Sequence, residues 1–237
     1  IYYSKNIISQ KIMMTKKLVI HKVFNFLMFV WSASEFFSER SFFVILQKIN
    51  RMKILQEVEK HIKVDAEIER FFYEECETQT IEKGKLLSEQ NHYNRNIYFV
   101  EEGMLRMFYY ENGKDITSNF YSEGKITANI DTIFKNELSK NNIETIEKSI
   151  ITTCNYHKLE ELCSVSLTAA NFSRYILGNL MLQMSNRITY LQHMSAKEKY
   201  QHLLEENPNI ILRVPLGMIA SYLGISQETL SRIRSEI

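Results

Sequence analysis

Apolar residues recur at helical intervals over the segment from Met52 to Cys76. The recurring positions are Ile54, Leu55, Val58, Ile62, Ile68, Phe71 and Phe72. Spacings of three and four residues place such side chains on one face of a helix. The pattern therefore predicts one or two short helices in this segment.

After Cys76 the pattern changes to short runs of β-branched and aromatic residues separated by turns that contain Gly. Strands and turns that alternate about every ten residues are typical of an antiparallel sandwich or barrel. Asn112-Gly113, which lies between two such runs, is the strongest hairpin signal in the chain. Residues 143–159 predict two further strands. The sequence thus indicates an antiparallel β domain that extends to about residue 165.

A helical pattern begins after about Ser166 and continues for some thirty residues. Its apolar positions form a seam at spacings of three and four residues, in which Arg187 takes the one polar position. The seam consists of Leu177, Leu180, Met184, Leu191 and Met194. A seam of this kind favours packing against a second helix, so we expect a homodimer contact along residues 166–194. The alternative is a helix that packs only on its own β domain.

Residues 195–237 have the pattern of short helices joined by tight turns. Ser195 and Glu198 predict a capping box at the start of one helix, which Pro208 ends. Ala220 and Gly224 then occupy the positions where a helix-turn-helix needs a small residue and a residue of positive φ. The positions that this motif buries are Ile219, Leu223, Ile225, Leu230 and Ile233. The spacing therefore predicts a helix-turn-helix.

The second helix of this motif carries polar residues on the face that points away from the packed side. Arg can donate two hydrogen bonds to guanine, Glu can accept one from cytosine, and Gln suits adenine. We therefore predict that this helix reads the major groove of double-stranded DNA, with Ser221 among the phosphate contacts. The candidate DNA-binding residues are Ser226, Gln227, Glu228, Thr229, Ser231, Arg232 and Arg234. Basic and acidic residues are equal in number over 195–237, which weakens the expectation of strong non-specific DNA binding.

Residues 1–51 differ from the rest of the chain in composition. They contain eight Lys or Arg, two Glu, and neither Gly nor Pro. Three interpretations are open: an upstream stretch translated in frame, a poorly ordered extension, or a secretory signal over Met14–Ser34. Because a DNA-reading domain serves no purpose outside the cell, we expect a non-native or disordered leader. Met52 is then the functional start of a cytoplasmic protein without a membrane segment.

The candidate chemistry of the chain argues against an enzyme. Cys76, Cys154 and Cys163 lack zinc-site spacing, and we expect reduced thiols. There is no nucleophile–base pair, metal cluster or Gly-rich phosphate loop, and Gly occurs only seven times. We therefore expect no cofactor and no metal.

The order of these parts resembles the Crp/Fnr family of bacterial transcription regulators. The resemblance covers residues from about 52 to 237 and is closest to Bacteroidetes members over "SAKEKYQHLLEENPNIILRVPLGMIASYLGISQETLSRIR". It implies an α+β fold in three parts. These are a cyclic-nucleotide-binding-like β-roll sensor (52–165), a dimerisation helix (166–194) and a winged-helix-like helix-turn-helix domain (195–237). It also implies a homodimer on a palindromic operator, with RNA polymerase as a candidate partner.

Within that resemblance, Glu228, Ser231 and Arg232 match the family's E-x-x-S-R base-reading pattern. Gln227 stands where Crp-type members have a further Arg. The resemblance therefore implies half-sites closer to TTGA than to TGTGA. The chain stops soon after this helix, so either a short tail replaces the family's β-hairpin wing or the sequence is truncated.

The β-roll departs from cyclic-nucleotide-binding members of the family. Ala128 and Asn129 replace their Gly-Glu pair, and no Arg occurs between Asn129 and Cys154. Since a buried phosphate needs a guanidinium or an equivalent group, we predict that cAMP does not bind. Three cysteines are too few for the family's four-cysteine iron–sulfur cluster, and no haem motif is present, so the effector is unknown. The alternative function is a small-ligand or protein-interaction module that does not read DNA.

Overall fold

A computed structural model describes residues 52–236 of the chain. The contacts divide the chain at Met52, and everything from this residue onward forms one compact unit. The predictions made for residues 1–51 lie outside the described residues.

Eight strands form two antiparallel sheets of four strands each. The strands are β1 (Cys76–Ile81), β2 (Leu86–Ser88), β3 (Asn96–Glu102), β4 (Leu105–Glu111), β5 (Lys114–Tyr121), β6 (Ile126–Ala128), β7 (Asn142–Thr145) and β8 (Ser149–Asn155). One sheet has the order β1-β8-β3-β6 and the other β2-β7-β4-β5. The prediction of an antiparallel β domain with two late strands is confirmed.

Asn112 and Gly113 form the turn between β4 and β5. Both residues have positive φ, 51° and 74°. A two-residue turn of this kind has the same twist as the strands that it joins, which favours a regular hairpin. The two strands pair from Glu111 opposite Lys114 back towards the base of the hairpin. The predicted hairpin is confirmed.

Four short helices accompany the sheets. They are α1 (Lys53–Glu59), α2 (Ala66–Glu75), α3 (Ile130–Lys135) and α4 (Tyr156–Val165). The Asp65 side chain caps α2 by accepting hydrogen bonds from two backbone N–H groups of its first turn. Phe72 packs edge-on against Phe99 of β3 at 5.1 Å between ring centroids. The helical pattern of residues 52–76 is thus confirmed as α1 and α2, whose apolar faces cover one sheet.

The longest helix, α5 (Leu167–His193), follows the β domain. Its second half leaves a row of apolar side chains exposed, namely Met181, Met184, Ile188 and Leu191. This row differs in phase from the predicted seam, because Leu180 and Arg187 line clefts against the protein's own β strands and C-terminal helices. Met194 lies beyond the helix in extended conformation. Neither α5 nor any other helix within residues 52–236 has the length and apolarity to span a bilayer.

Four further helices complete the chain, and we refer to them as the C-terminal helices. They are α6 (Ala196–Glu206), α7 (Ile210–Arg213), α8 (Leu216–Leu223) and α9 (Gln227–Ser235). The predicted capping box of Ser195 and Glu198 is present at the start of α6. The apolar side chains of these helices form one core that also includes Met104 and Ile146 of the β domain. The C-terminal helices therefore share a continuous apolar core with the sheets.

Cys76 and Cys154 are joined by a disulfide, which corrects the expectation of reduced thiols for these two residues. They lie opposite each other on β1 and β8, with 4.5 Å between their Cα atoms. Directly opposed residues on antiparallel strands can approach this closely, within the range that a disulfide spans. The sequence hides this proximity because 78 positions separate the two residues. Cys163 carries a free thiol.

Gly103 offers a test of the close approach between the β3–β4 turn and β8. Its φ is +91°, and a Cβ there would lie 2.2 Å from the Ser149 Oγ and 2.8 Å from the Ser149 Cα. We expect Gly103→Ala to lower the free energy of unfolding by about 2–4 kcal/mol, through backbone strain and overlap together. Gly113→Ala is the control, since φ is also positive but no atom lies within 4 Å; it should cost about 1 kcal/mol. Urea denaturation measures both, and equal losses would contradict the packing described here.

Candidate nucleic-acid interface

The turn between α8 and α9 is tight because of two small residues. Gly224 adopts the left-handed conformation with φ of 69°, and the backbone N–H of Ile225 donates to the Ala220 carbonyl at 3.0 Å. The Ala220 side chain is 3% exposed beneath the turn. A larger side chain at position 220 would push the two helices apart, and a residue with a Cβ at 224 would strain the turn. The tight turn that the residue spacing predicted is present between α8 and α9.

The first turn of α9 is fixed by its cap. The Ser226 Oγ accepts a hydrogen bond from the Thr229 backbone N–H at 3.1 Å. A side-chain hydrogen bond from Ser226 also lowers the pKa of the Glu228 carboxyl, with the Arg232 charge as a weaker cause. Glu228 is therefore ionised at neutral pH and presents only hydrogen-bond acceptors. Ser226 thus orients the start of the helix and one of its exposed side chains.

Two sides of α9 differ sharply in burial. Leu230 and Ile233 are buried against the C-terminal core. The exposed side chains belong to Gln227, Glu228, Ser231, Arg232 and Arg234, together with Ser226 at the cap. Thr229 is half-buried beside the cap. The structure thus brings six of the seven predicted residues to one solvent-facing surface, which is called the α9 face below.

Ser221 does not lie on the α9 face. Its Oγ accepts a hydrogen bond from the Thr117 backbone N–H at 2.9 Å and lies 3.3 Å from the Asp115 carbonyl oxygen. Both partners belong to β5, so Ser221 joins α8 to the β domain instead of facing outward. The expectation of a phosphate contact from Ser221 is wrong, since the sequence pattern could not show that α8 packs on a strand one hundred residues away.

The β4–β5 hairpin is rigid where α8 contacts it. Arg106 is 3% exposed and donates from Nη1 and Nη2 to the Asp115 carboxylate, each at 2.8 Å, and from Nε to Glu144 at 2.7 Å. Its guanidinium lies 3.9 Å from the centroid of the Phe108 ring. A bidentate arginine–carboxylate pair with a buried guanidinium fixes geometry in two directions. The strand that receives Ser221 is thereby held in place.

Arg213 of α7 makes a second link to the β domain, one that the sequence did not reveal. Its guanidinium donates to Glu123 at 2.8 Å and to Glu147 at 2.5 Å. Burial is the largest single influence on the Glu123 pKa and raises it, but the hydrogen bond and charge of Arg213 together with backbone hydrogen bonds exceed it, so the pKa of this carboxyl is lowered. Hydrogen bonds to both carboxylates likewise raise the pKa of Arg213 against the effect of burial. The α7 turn is thus held on the β domain by charged hydrogen bonds.

The region around Asn129, where the resemblance drawn from the sequence would place a phosphate site, contains buried, uncharged polar groups. Asn129 is 2% exposed and donates from Nδ2 to the Ser88 Oγ at 2.7 Å. Asn142 is also buried and accepts a hydrogen bond from the Gln90 backbone N–H. Lys140 instead pairs with Asp131 and Glu137 near the surface. Within residues 52–236 no group of three or more His, Cys, Asp or Glu side chains is placed to hold a metal ion.

Comparison with known proteins finds a family model that is similar to the β domain. Residues 78–166 match the family model of the cyclic nucleotide-binding domain. A search of curated proteins finds no match to the chain.

Several solved structures share the fold at low sequence identity. FixK2 of Bradyrhizobium japonicum is 16% identical over 68% of this chain and 83% of its own, with a TM-score of 0.60. The c-di-GMP-responsive global regulator CLP of Xanthomonas campestris is 17% identical over 73% of this chain and 91% of its own, with a TM-score of 0.58. A regulator of Eubacterium rectale assigned to the Crp/Fnr family is 18% identical over 72% and 82%, with a TM-score of 0.58. The resemblance drawn from the sequence is therefore confirmed at the level of fold.

The Arg213 link predicts a measurable contribution to stability. We expect Arg213→Gln to lower the free energy of unfolding by about 1–2 kcal/mol at pH 7, because two partly exposed carboxylates lose a charged donor. Lys148→Gln is the control, since its ion pair with Glu82 is about two-thirds exposed on both sides and should contribute little. Urea denaturation measures both variants.

The same link predicts a dependence on pH. The Glu123 pKa is lowered in the folded chain, so its contribution is complete above the unfolded pKa of about 4.3 and is lost as pH falls through the folded value. The difference between wild type and Arg213→Gln should therefore narrow below about pH 4. A difference that stays constant down to pH 3 would show that the ion pair is not its source.

Proposed function

We propose that this chain is a sequence-specific DNA-binding regulator of transcription, of the Crp/Fnr type, that acts as a homodimer on a palindromic operator. In this proposal residues 52–165 sense a signal, 166–194 form the dimer helix and 195–237 bind DNA. The single observation that carries it is the α9 face, an exposed polar helix surface behind a tight two-helix turn. It stands next to a cyclic nucleotide-binding domain and belongs to a fold shared with Crp/Fnr regulators.

The chemistry of the α9 face suits base edges in the major groove. Arg232 can donate two hydrogen bonds to a guanine, and ionised Glu228 can accept one from a cytosine amino group. Gln227 and Ser231 lie on the same side and complete the base-reading set. Arg234 is one turn or less away and suits a phosphate. Ser226 and Thr229 fix the start of α9, and they contribute to DNA binding by orienting this helix.

The exposed apolar row on α5 supports a second copy of the chain as the partner. Met181, Met184, Ile188 and Leu191 follow one another at spacings of three, four and three residues, which is the spacing of a two-helix seam. Pairing of α5 with its copy places two α9 faces on one molecule. Two recognition helices about 34 Å apart meet successive major grooves on one side of the duplex, which requires a two-fold symmetric site.

The sensor is proposed to respond to a signal other than cAMP. Asn129 replaces the acidic residue that holds a ribose hydroxyl in cyclic-nucleotide-binding members, and the nearby buried groups Ser88 and Asn142 carry no positive charge. A cyclic phosphate would therefore lose its hydration without gaining a charged partner. The proposal places the protein in the cytoplasm, with RNA polymerase as a candidate partner and without enzymatic activity. The alternative is a small-ligand or protein-interaction module that does not read DNA.

Selection from a pool of random duplex DNA tests the proposal. We expect the full chain to enrich a palindrome with TTGA-like halves. Arg232→Ala should weaken binding to that site roughly 10- to 100-fold and relax the sequence at one position of each half. Arg174→Ala, an exposed change on α5 away from the α9 face, is the control and should select the same site. If the wild type enriches nothing even with cell extract added, the interaction module becomes the better function.

The dimer is tested separately by sedimentation. We expect the double variant Met184→Glu with Ile188→Glu to be monomeric, because it introduces four like charges into the proposed seam of two copies. Leu182→Glu is the matched control, since Leu182 is also exposed on α5 but lies about a third of a turn away from the row. A monomeric wild type, or dissociation by Leu182→Glu alone, would contradict pairing through this row.

A further inference from the structure

A cleft of about 560 Å³ opens between the β domain and the C-terminal helices. We call it the α5–α8 cleft. Its walls come from the end of β5, the second half of α5, the last turns of α6, and Tyr222 of α8. The volume lies within the range of ordinary small-molecule sites. It is separate from the buried polar groups around Asn129, and no part of the α9 face lines it.

Arg187 is the central charged group of this cleft. Its Nη2 donates to the Tyr222 carbonyl oxygen at 2.5 Å, and its guanidinium lies 3.9 Å from the centroid of the Tyr222 ring. The other terminal nitrogen, Nη1, is buried and has no hydrogen-bond partner among residues 52–236. Because Nη1 has no contact with water, an acceptor in the cleft reaches it only if the Arg187 side chain shifts, and the acceptor then gains a charge-assisted hydrogen bond.

The walls of the cleft are aromatic. Tyr222 packs against Phe120 at 5.3 Å between ring centroids, and the Tyr190 ring lies 6.4 Å from that of Tyr222 and 5.0 Å from the Arg187 guanidinium. The Tyr190 hydroxyl donates to the Lys199 carbonyl, which holds this ring in position. Aromatic faces around a cation suit a flat apolar group that carries an anion at one end.

The charges of the cleft set the charge of the ligand. Among its described lining residues Lys125 and Arg187 are basic and Glu206 is acidic. The side chain of His202 also lines the cleft, with Nδ1 3.6 Å from Glu206. If His202 is counted as neutral, the cleft has a net charge of one positive unit. This charge matches a monoanionic ligand better than a phosphate dianion. A carboxylate has the planar geometry that pairs with a guanidinium.

We propose that the α5–α8 cleft binds a small aromatic monocarboxylate, with the carboxylate at Arg187 and the ring against the sides of Phe120 and Tyr222 that line the cleft. Such a ligand would contact β5, α5 and α8 at once, and these elements belong to the sensor, the dimer helix and the DNA-binding part of the proposed function. Binding would therefore change how α8, and with it α9, is held. This regulatory role rests on the proposed function, whereas the binding site itself does not.

Binding is tested with 3-phenylpropionate on the full chain, by ligand-observed NMR titration without DNA. We expect the neutral amide of the same acid and phenyl phosphate to bind at least roughly tenfold more weakly. Arg187→Gln should weaken binding of the acid to the same extent. Arg174→Gln, on the same helix but outside the cleft, should not. Because Arg187 also supports Tyr222, a second variant, Ser122→Trp, narrows the cleft without removing the guanidinium; it should weaken binding at least roughly tenfold as well.

Three results would overturn the site. They are no binding of the acid up to roughly 10 mM, equal binding of acid and amide, or unchanged binding in both Arg187→Gln and Ser122→Trp. The regulatory role is then measured as the change in affinity for the selected operator when 3-phenylpropionate is saturating. An affinity that stays within twofold would overturn that role while leaving the site intact. Failure to select any operator would instead reject the proposed function, since the NMR titration does not depend on DNA.

Discussion

The apolar core that the C-terminal helices share with the β domain is the constraint on which the rest of the structure depends. Met104 and Ile146 of the β domain belong to the same buried cluster as Ile219 and Leu223 of α8. Because α8 buries one side on this cluster and supports α9 on another, the direction of the α9 face is determined by the β domain. The polar links through Ser221 and Arg213 lie at the edge of this core and fix its orientation, while burial supplies most of the free energy. A change in the packing of the sheets would therefore act on α8, and through it on α9, within one continuous core.

Local sequence signals predicted most of the fold and the surface of the site. Asn112-Gly113 specified a hairpin, and Ala220 with Gly224 specified the tight turn before α9, because each depends on the backbone preferences of adjacent residues. The sequence could not predict contacts between distant segments: the Cys76–Cys154 bond, the Arg213 ion pairs and the packing of Ser221 on β5 all join residues more than sixty positions apart. The predicted seam of α5 was out of phase for a related reason. Leu180 is apolar and Arg187 is long, so both side chains can pack on their own chain. Spacing alone does not distinguish the side of a helix that packs on its own domain from the side that stays exposed.

Buried polar groups of two kinds occur among residues 52–236. Around Asn129 they are neutral, and Asn129 Oδ1 and Asn142 Nδ2 have no hydrogen-bond partner among the described residues. Around Arg187 a guanidinium is only partly satisfied, is flanked by aromatic rings, and borders an open cleft. The proposed ligand is therefore placed at the junction of the helices and not around Asn129. The two regions differ because only the buried groups around Arg187 include a positively charged side chain.

The hydrogen bond between Ser221 and Thr117 also bears on the tendency of the protein to aggregate in solution. β5 is the last strand of its sheet, and the edge of such a strand offers backbone groups to which a foreign strand can add. α8 covers part of that edge, and the Ser221 Oγ occupies one of its N–H donors. Any movement that lifts α8 off the sheet would therefore uncover a template for strand addition. By covering this edge, α8 protects the chain against aggregation through strand addition. This requirement limits how far, and for how long, the C-terminal helices can move away from the sheet.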